Sequence, residues 1–574
     1  CAKHARPAFL FPETGKMAFQ RSEKEQKYDR QMRLWGGHGQ KAVETAHICV
    51  LGSGPSASET LKNLVLPNVG EFTLIDHAVV NPEDLGNNFF VTEEDVGKSR
   101  AEAVTKWLLE MNPDVKGNFI AKNPVDIIDK DPGFFSKFQL VIASNIPEPA
   151  ALKLSKAVRG KVPLMVVKTY GLIGMLRLDF DEITITENHM TGELLFDLCI
   201  TPTQLKSFPK LQSYIDSFSI EDPKQTTAKH QHIPYVAILP QFGAKWAKEN
   251  GGKVPTTKEF RDGLITFSKA WVQSAWEREI GAEKDTARKA ELRGQGTPGP
   301  EENFEQAAEN ATKFLRGFQP SPELEVVLKD PKAANLTKDS TNFWILVNAL
   351  NGFIGNEGGK SFPASTNIPD MQSESESYVK LKTVYKEKAD ADLDAVSKRV
   401  QKTLAALGRK PDSISAEEIA HFVRNCRTLQ VVRTRSMGEE YENKTFNKKE
   451  VENKMEDDQD YGRPEMAHDI KYYFAIRAVD AFSTKNGRFP KPSDSAAVKA
   501  WAATFLSGLG IKATVDDHVD EVIRGQQAEL HNIGAVIGGL ASQEALKLLL
   551  RQYVPMNNTY VFNGQVGKGT RFDM

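Results

Sequence analysis

The chain has 574 residues, 40% hydrophobic and 26% charged, which is the make-up of a soluble protein with several domains' worth of core. Its 74 basic and 76 acidic residues leave a net charge of -2, so no overall field directs it to nucleic acid or to an anionic membrane. Cys1, Cys49, Cys199 and Cys426 lie far apart with no C-x-x-C pair, which argues against a disulfide framework or a cysteine-rich zinc site. That usage fits a reducing compartment, so a cytoplasmic or nuclear location is expected.

Residues 1–27 read as an N-terminal extension without fixed structure, with Met17 as a candidate start and no signal-peptide core. The segment Tyr28-Asp29-Arg30-Gln31-Met32-Arg33-Leu34-Trp35-Gly36 follows. It reads as a short amphipathic helix that packs Leu34 and Trp35 on the core and leaves its two arginines in water.

The stretch 46–76 organises the rest. The apolar run Ile48–Leu51 predicts a buried strand, Gly52 and Gly54 a turn, the spacing of Leu61, Leu64 and Val65 a helix, and Glu71–Asp76 a second strand. This is the first βαβ unit of a nucleotide-binding fold, in which a helix N-terminus and close backbone approach cradle phosphate. The cradle is altered, with Pro55 offering no N–H and Ala57 standing where a third glycine is usual. The motif alone leaves open an occupied nucleotide site or a fold that keeps only the turn. Asp76, 22 residues after Gly54, is placed where a carboxylate meets a ribose hydroxyl.

Alternation continues with a helix over 98–111, a strand over 138–143, a helix over 150–158 and a strand over 163–167. Such spacing predicts a doubly wound, mostly parallel sheet with its site beyond the strand ends at Gly52-Ser53, Asp76-His77 and Ser144-Asn145. From about Tyr170 the pattern turns to helices with little strand signal, including 341–353, a long helix from Tyr378 through Val400, and one opened by Ser415-Ala416-Glu417-Glu418. Residues 438–464 form a charge-rich excursion, expected to be mobile. His230 and His232 lack nearby cysteine or carboxylate partners in sequence and read as surface residues, while Cys199 and Cys426 read as buried, inert thiols. The α/β style returns near the end with a glycine-bearing helix over 533–550 and a hairpin over 559–572. The apolar run 533–541 is too short to cross a bilayer.

Four motifs in this order, YDRQMRLWG (28–36), NNFF (87–90), KTYG (168–171) and QEALKLL (543–549), carry a resemblance. The chain resembles the activating enzymes of ubiquitin-like modifiers, and most of all their catalytically silent half in the neddylation pathway, the amyloid-precursor-protein-binding protein family. The resemblance implies a Rossmann-like adenylation domain of the ThiF/MoeB type, split by a large helical insertion. The implied boundaries are 28–170 for its first part, 171–510 for the insertion in place of a catalytic-cysteine domain, and 511–574 for the closing part. Active relatives bind ATP and magnesium, adenylate the modifier's C-terminus and pass it to a cysteine.

Carried over residue by residue, those motifs show losses. Gly52 and Gly54 remain; Asp76 remains but Ala78 replaces a second carboxylate. A phosphate-binding arginine is replaced by Asn87, an expected lysine by Arg100, and a magnesium-binding aspartate by Asn145. No catalytic-cysteine motif follows Tyr170, and the chain reaches Met574 without room for a ubiquitin-fold domain. The pocket of Gly52, Gly54, Asp76, Asn87, Arg100 and Asn145 is therefore expected not to function, with no cofactor bound by this chain and none of its residues a metal ligand. The resemblance gives Arg30 another role, reaching the ATP phosphates of a catalytic partner in trans. It further implies an obligate heterodimer with that catalytic subunit, a ubiquitin-like modifier as cargo and transient contact with a conjugating enzyme, with no nucleic acid and no membrane. The silent half of a related system such as sumoylation, a self-sufficient adenylating enzyme and a dinucleotide-dependent oxidoreductase stay as alternatives.

Overall fold

A computed structural model describes residues 22–189, 197–295, 299–441, 447–456 and 469–574. The chain forms two compact units, one of residues 1–181, 433–550 and 555–574, the other of 182–432 and 551–554.

The first unit is built on an eight-stranded sheet in the order β10-β9-β6-β5-β4-β1-β2-β3. Its strands are β1 (His47–Leu51), β2 (Glu71–Ile75), β3 (Lys116–Ile120), β4 (Leu140–Ser144), β5 (Leu164–Tyr170), β6 (Ile173–Asp179), β9 (Thr559–Asn563) and β10 (Lys568–Phe572). β3, β2, β1, β4 and β5 run parallel, and β6, β9 and β10 continue antiparallel. Strands β1 and β4 are buried almost throughout, which is why they read as apolar runs without alternation. The helices of its first part are α1 (Glu23–Lys27), α2 (Asp29–Glu44), α3 (Pro55–Val65), α4 (Arg100–Met111), α5 (Pro124–Lys130) and α6 (Glu148–Val158). Strand order reverses between β1 and β4, which places a crevice at their carboxyl ends.

Several expectations are corrected here. The extension drawn over 1–27 falls mostly outside the described residues, but α1 is a helix with a reciprocal capping box between Ser22 and Glu25. Helix α2 is longer than the 28–36 segment and kinks at Gly36 (φ 69°). Trp35 is buried, while Leu34 is 61% exposed, because neighbouring positions on a helix point about 100° apart and only one of the two meets the core.

The helical insertion is shorter than 171–510. Strand β6 belongs to the sheet, and 433–510 packs on it rather than with the insertion. The cause is a buried polar network that periodicity cannot reveal. Arg177 of β6 pairs with Glu440 at 2.7 Å, Lys168 with Asp480 at 3.1 Å and Arg477 with Glu148 at 2.8 Å. Around these, Ile470, Tyr473 and Val479 share an apolar core with Met175, Val561 and Phe572. The excursion at 438–464 contains helical stretches at Met437–Tyr441 and Lys448–Glu456; its remainder lies outside the described residues.

The helix His531–Leu550 has, at 20 residues, the length and apolar composition of a membrane span, more than the 533–541 run implied. It is a core helix, mostly buried against α3, and a Cβ on Gly538 would stand 2.7 Å from that of Glu59. Small residues there let the two helices touch.

The second unit is mainly helical, with a short β7 (Ile183–Ile185) paired to β8 (Gln430–Val432). Its longest helices are Thr257–Ala282 and Ser375–Ala406; the helix predicted over 341–353 is present as Asn342–Gly355, and the one predicted to open at Ser415 as Ala416–Arg424. Apolar residues recurring along these helices close two cores, one around Phe260 and Tyr385, the other around Phe353 and Phe422. His230 is not on the surface. It is buried, stacked 3.4 Å from the Trp271 ring, with Nδ1 2.6 Å from the Glu301 carboxylate, 71 residues away. Cys199 and Cys426 are buried and free, and burial pushes the Cys426 thiol up to about 11, in keeping with an inert role.

Candidate functional site

The crevice lies where the sequence placed it, at the ends of β1, β2 and β4. Gly52 takes a φ of +87° and turns the chain into Ser53 and Gly54, and Gly54 caps α3 with Pro55 in its first turn.

Asp76 ends β2 and is buried. Its Oδ2 accepts hydrogen bonds from the Ser53 amide at 2.9 Å, the Ser53 hydroxyl at 2.6 Å and Arg100 Nη2 at 2.9 Å. Its Oδ1 accepts from the Ala78 amide at 3.0 Å. Burial alone would push this carboxyl up; the Arg100 charge, the Ser53 hydroxyl and the Ala78 amide outweigh it and hold it below the ordinary carboxylate value. Arg100, the first residue of α4, also donates from Nη1 to Asp84 at 2.9 Å and from Nε to Ser53 at 3.1 Å. Desolvation opposes its charge, and the two carboxylates overcome it and raise its pKa. The aspartate placed for a ribose and the arginine standing for an expected lysine are thus paired with each other.

The other replacements are likewise turned inward. Asn145 sits at φ 51°, a left-handed conformation that asparagine tolerates. Its amide closes on β5, donating to Thr169 Oγ1 at 3.2 Å and accepting from the Thr169 amide at 3.0 Å. Asn87 donates to the Glu529 carbonyl at 3.0 Å. Asn88 donates to the Ser53 carbonyl at 3.0 Å and accepts from the Phe90 amide at 3.1 Å, so it fastens the loop to the glycine turn.

Sequence reasoning placed Ser53 at a strand end without a role and missed Asp84 and Glu529. The Glu529 carboxylate accepts from the Ser56 amide at 3.2 Å, from the Ser56 hydroxyl and from Thr169 Oγ1 at 3.0 Å. It lies 473 residues from Ser56, beyond any local pattern. Where the resemblance places a magnesium-binding aspartate, Asn145 brings a neutral amide whose oxygen already accepts from the Thr169 amide, so it adds no negative charge for a hard cation.

Arg30 is not brought into the crevice. It stands on α2, exposed, and among the described residues it has no hydrogen bond or ion pair. The helix beneath it is fixed by Tyr28, whose buried hydroxyl donates to Asp114 at 2.9 Å and meets Asn112, whose own amide donates to the Val65 carbonyl at 2.8 Å. Arg33 pairs with Asp29 at 2.8 Å, so among the described residues Arg30 is the arginine of the motif without a side-chain partner.

The model of the ThiF family matches residues 28–175, from the Tyr28 anchor into β6. The chain is similar to the NEDD8-activating enzyme E1 regulatory subunit of Xenopus laevis, 37% identical over 560 residues, covering 96% of this chain and 99% of that protein. The protein of that description from Gallus gallus is 37% identical over 562 residues, with 96% and 99% covered. The NEDD8-activating enzyme E1 regulatory subunit AXR1 of Arabidopsis thaliana is 35% identical over 551 residues, with 94% and 95% covered.

Proposed function

Since the chain belongs to the family of NEDD8-activating enzyme E1 regulatory subunits, we propose that it is the non-catalytic half of a heterodimer and lends Arg30 to the ATP phosphates held by its catalytic partner. The partner adenylates a ubiquitin-like modifier and forms the thioester, and a conjugating enzyme docks transiently. The observation that carries this reading is the contrast within one motif set. The crevice residues satisfy one another, while Arg30 is exposed on an anchored helix and has no side-chain partner among the described residues.

Adenylation stabilises charge that develops on transferring phosphates, and a guanidinium held rigidly across an interface does so without reorganising at the moment of reaction. The test is Arg30→Ala in the purified complex. The heterodimer should co-elute unchanged on gel filtration while modifier adenylation slows by roughly 10–1000-fold, the range of comparable electrostatic deletions. Unchanged adenylation by the mutant complex would overturn the role given to Arg30.

A further inference from the structure

The N-terminus of α3 carries the partial positive charge and free amides that bind phosphate in active nucleotide folds. Here that position already holds an anion, and it belongs to the chain itself. We propose that Glu529 is a tethered substitute for a phosphate group, filling the cradle from within. This rests on the reading that the crevice does not run the chemistry.

Three donors converge on its carboxylate: the Ser56 amide in the first turn of α3, the Ser56 hydroxyl and the Thr169 hydroxyl at the end of β5. An amide, a serine hydroxyl and a second hydroxyl form the kind of donor set that receives phosphate oxygens. The backbone holds the carboxylate there from both sides. The Gly171 amide donates to the Ala528 carbonyl at 2.8 Å, and Asn87 donates to the Glu529 carbonyl at 3.0 Å. A side chain on Gly54 would run into the carboxylate, so the glycine that admits a phosphate in active relatives of the fold here admits Glu529. The replacement at Asn87 then has a use, since its amide pins the strap that carries the plug. The segment leads directly into His531–Leu550, the helix packed on α3, so the plug joins the two parts of the sheet unit that the insertion separates in sequence.

The experiment is thermal melting of the full chain and of two variants, in inorganic phosphate and in sodium chloride of matched ionic strength. Glu529→Gln keeps the volume and removes the charge, and its Tm should fall by about 2 °C or more; a Tm equal to that of the unmutated chain would reduce Glu529 to a space filler and overturn the proposal. Glu529→Ala empties the cradle. Millimolar phosphate should raise its Tm by about 2 °C beyond the chloride control, while the unmutated chain and Glu529→Gln respond to both salts alike. Absence of that phosphate-specific shift in a folded Glu529→Ala would equally overturn it. Should the alanine variant fail to fold, the Gln variant decides. Neither readout involves pyrophosphate exchange, so a chain found to catalyse exchange would defeat the functional reading separately.

Discussion

Arg100 and Arg30 belong to the same folded unit and meet opposite surroundings. Arg100 is partly buried and divides its guanidinium between Asp76 and Asp84. Arg30 is exposed and, among the described residues, without a side-chain partner, on a helix whose base is tied down by the Tyr28 hydroxyl. A buried arginine between two carboxylates is a structural element, because its charge is tolerable only while both partners remain. An exposed arginine on a rigid support keeps its full donor set for another molecule. Within one unit, then, one arginine is tied to the chain's own carboxylates and the other stands exposed on a helix.

The comparison breaks most visibly at Asp76. Asp76→Ala leaves Arg100 with Asp84 as its remaining carboxylate, and urea unfolding should report a loss of about 3 kcal/mol. A loss under about 1 kcal/mol would mean that the crevice is not held by this pair. The effect is pH-dependent with a definite sign. The folded carboxyl titrates below its ordinary 3.8, so its stabilisation is complete above about pH 4 and is lost as pH falls through the folded value. The gap between the unmutated chain and Asp76→Ala should therefore close in acid and stay constant from pH 5 to 7.

Tyr28→Phe removes the hydroxyl that fastens the Arg30 helix to Asp114 and Asn112. Stability should drop by about 1 kcal/mol, and adenylation by the complex should slow although no ligand group has been deleted. A variant that loses stability with unchanged turnover would separate the anchor from the function. The smallest effect is expected at Arg33. Its exposed pair with Asp29 is worth about 0.3–0.5 kcal/mol, and Arg33→Ala should leave adenylation as it was. Equal slowing by Arg33→Ala and Arg30→Ala would show a general basic surface instead of one placed guanidinium.

The parallel half of the sheet was legible because β1 and β4 are buried on both faces and read as apolar runs, and because α4 and the helix on α3 have clean spacing. Strand β6 was not, since a buried Arg177 interrupts its apolar sequence and its partner Glu440 lies 263 residues on. Edge strand β3 escaped for the opposite reason, having little buried face to show. Gly52, Gly54, Asp76, Asn87, Arg100 and Asn145, picked out in the sequence, come together at the crevice. What filled their places was invisible: Ser53 and Asp84 are unremarkable polar residues until folding brings them to Arg100, and Glu529 reaches the cradle only through tertiary contact.

The measurement that bears most directly on the central claim is modifier-dependent ATP–pyrophosphate exchange, run on this chain alone and on its complex with a catalytic subunit. Exchange confined to the complex is the predicted result. Exchange by the chain alone would mean that a crevice with Arg100 committed to Asp76 and Asp84 still holds and activates ATP, and the account of a closed, non-catalytic half would be contradicted.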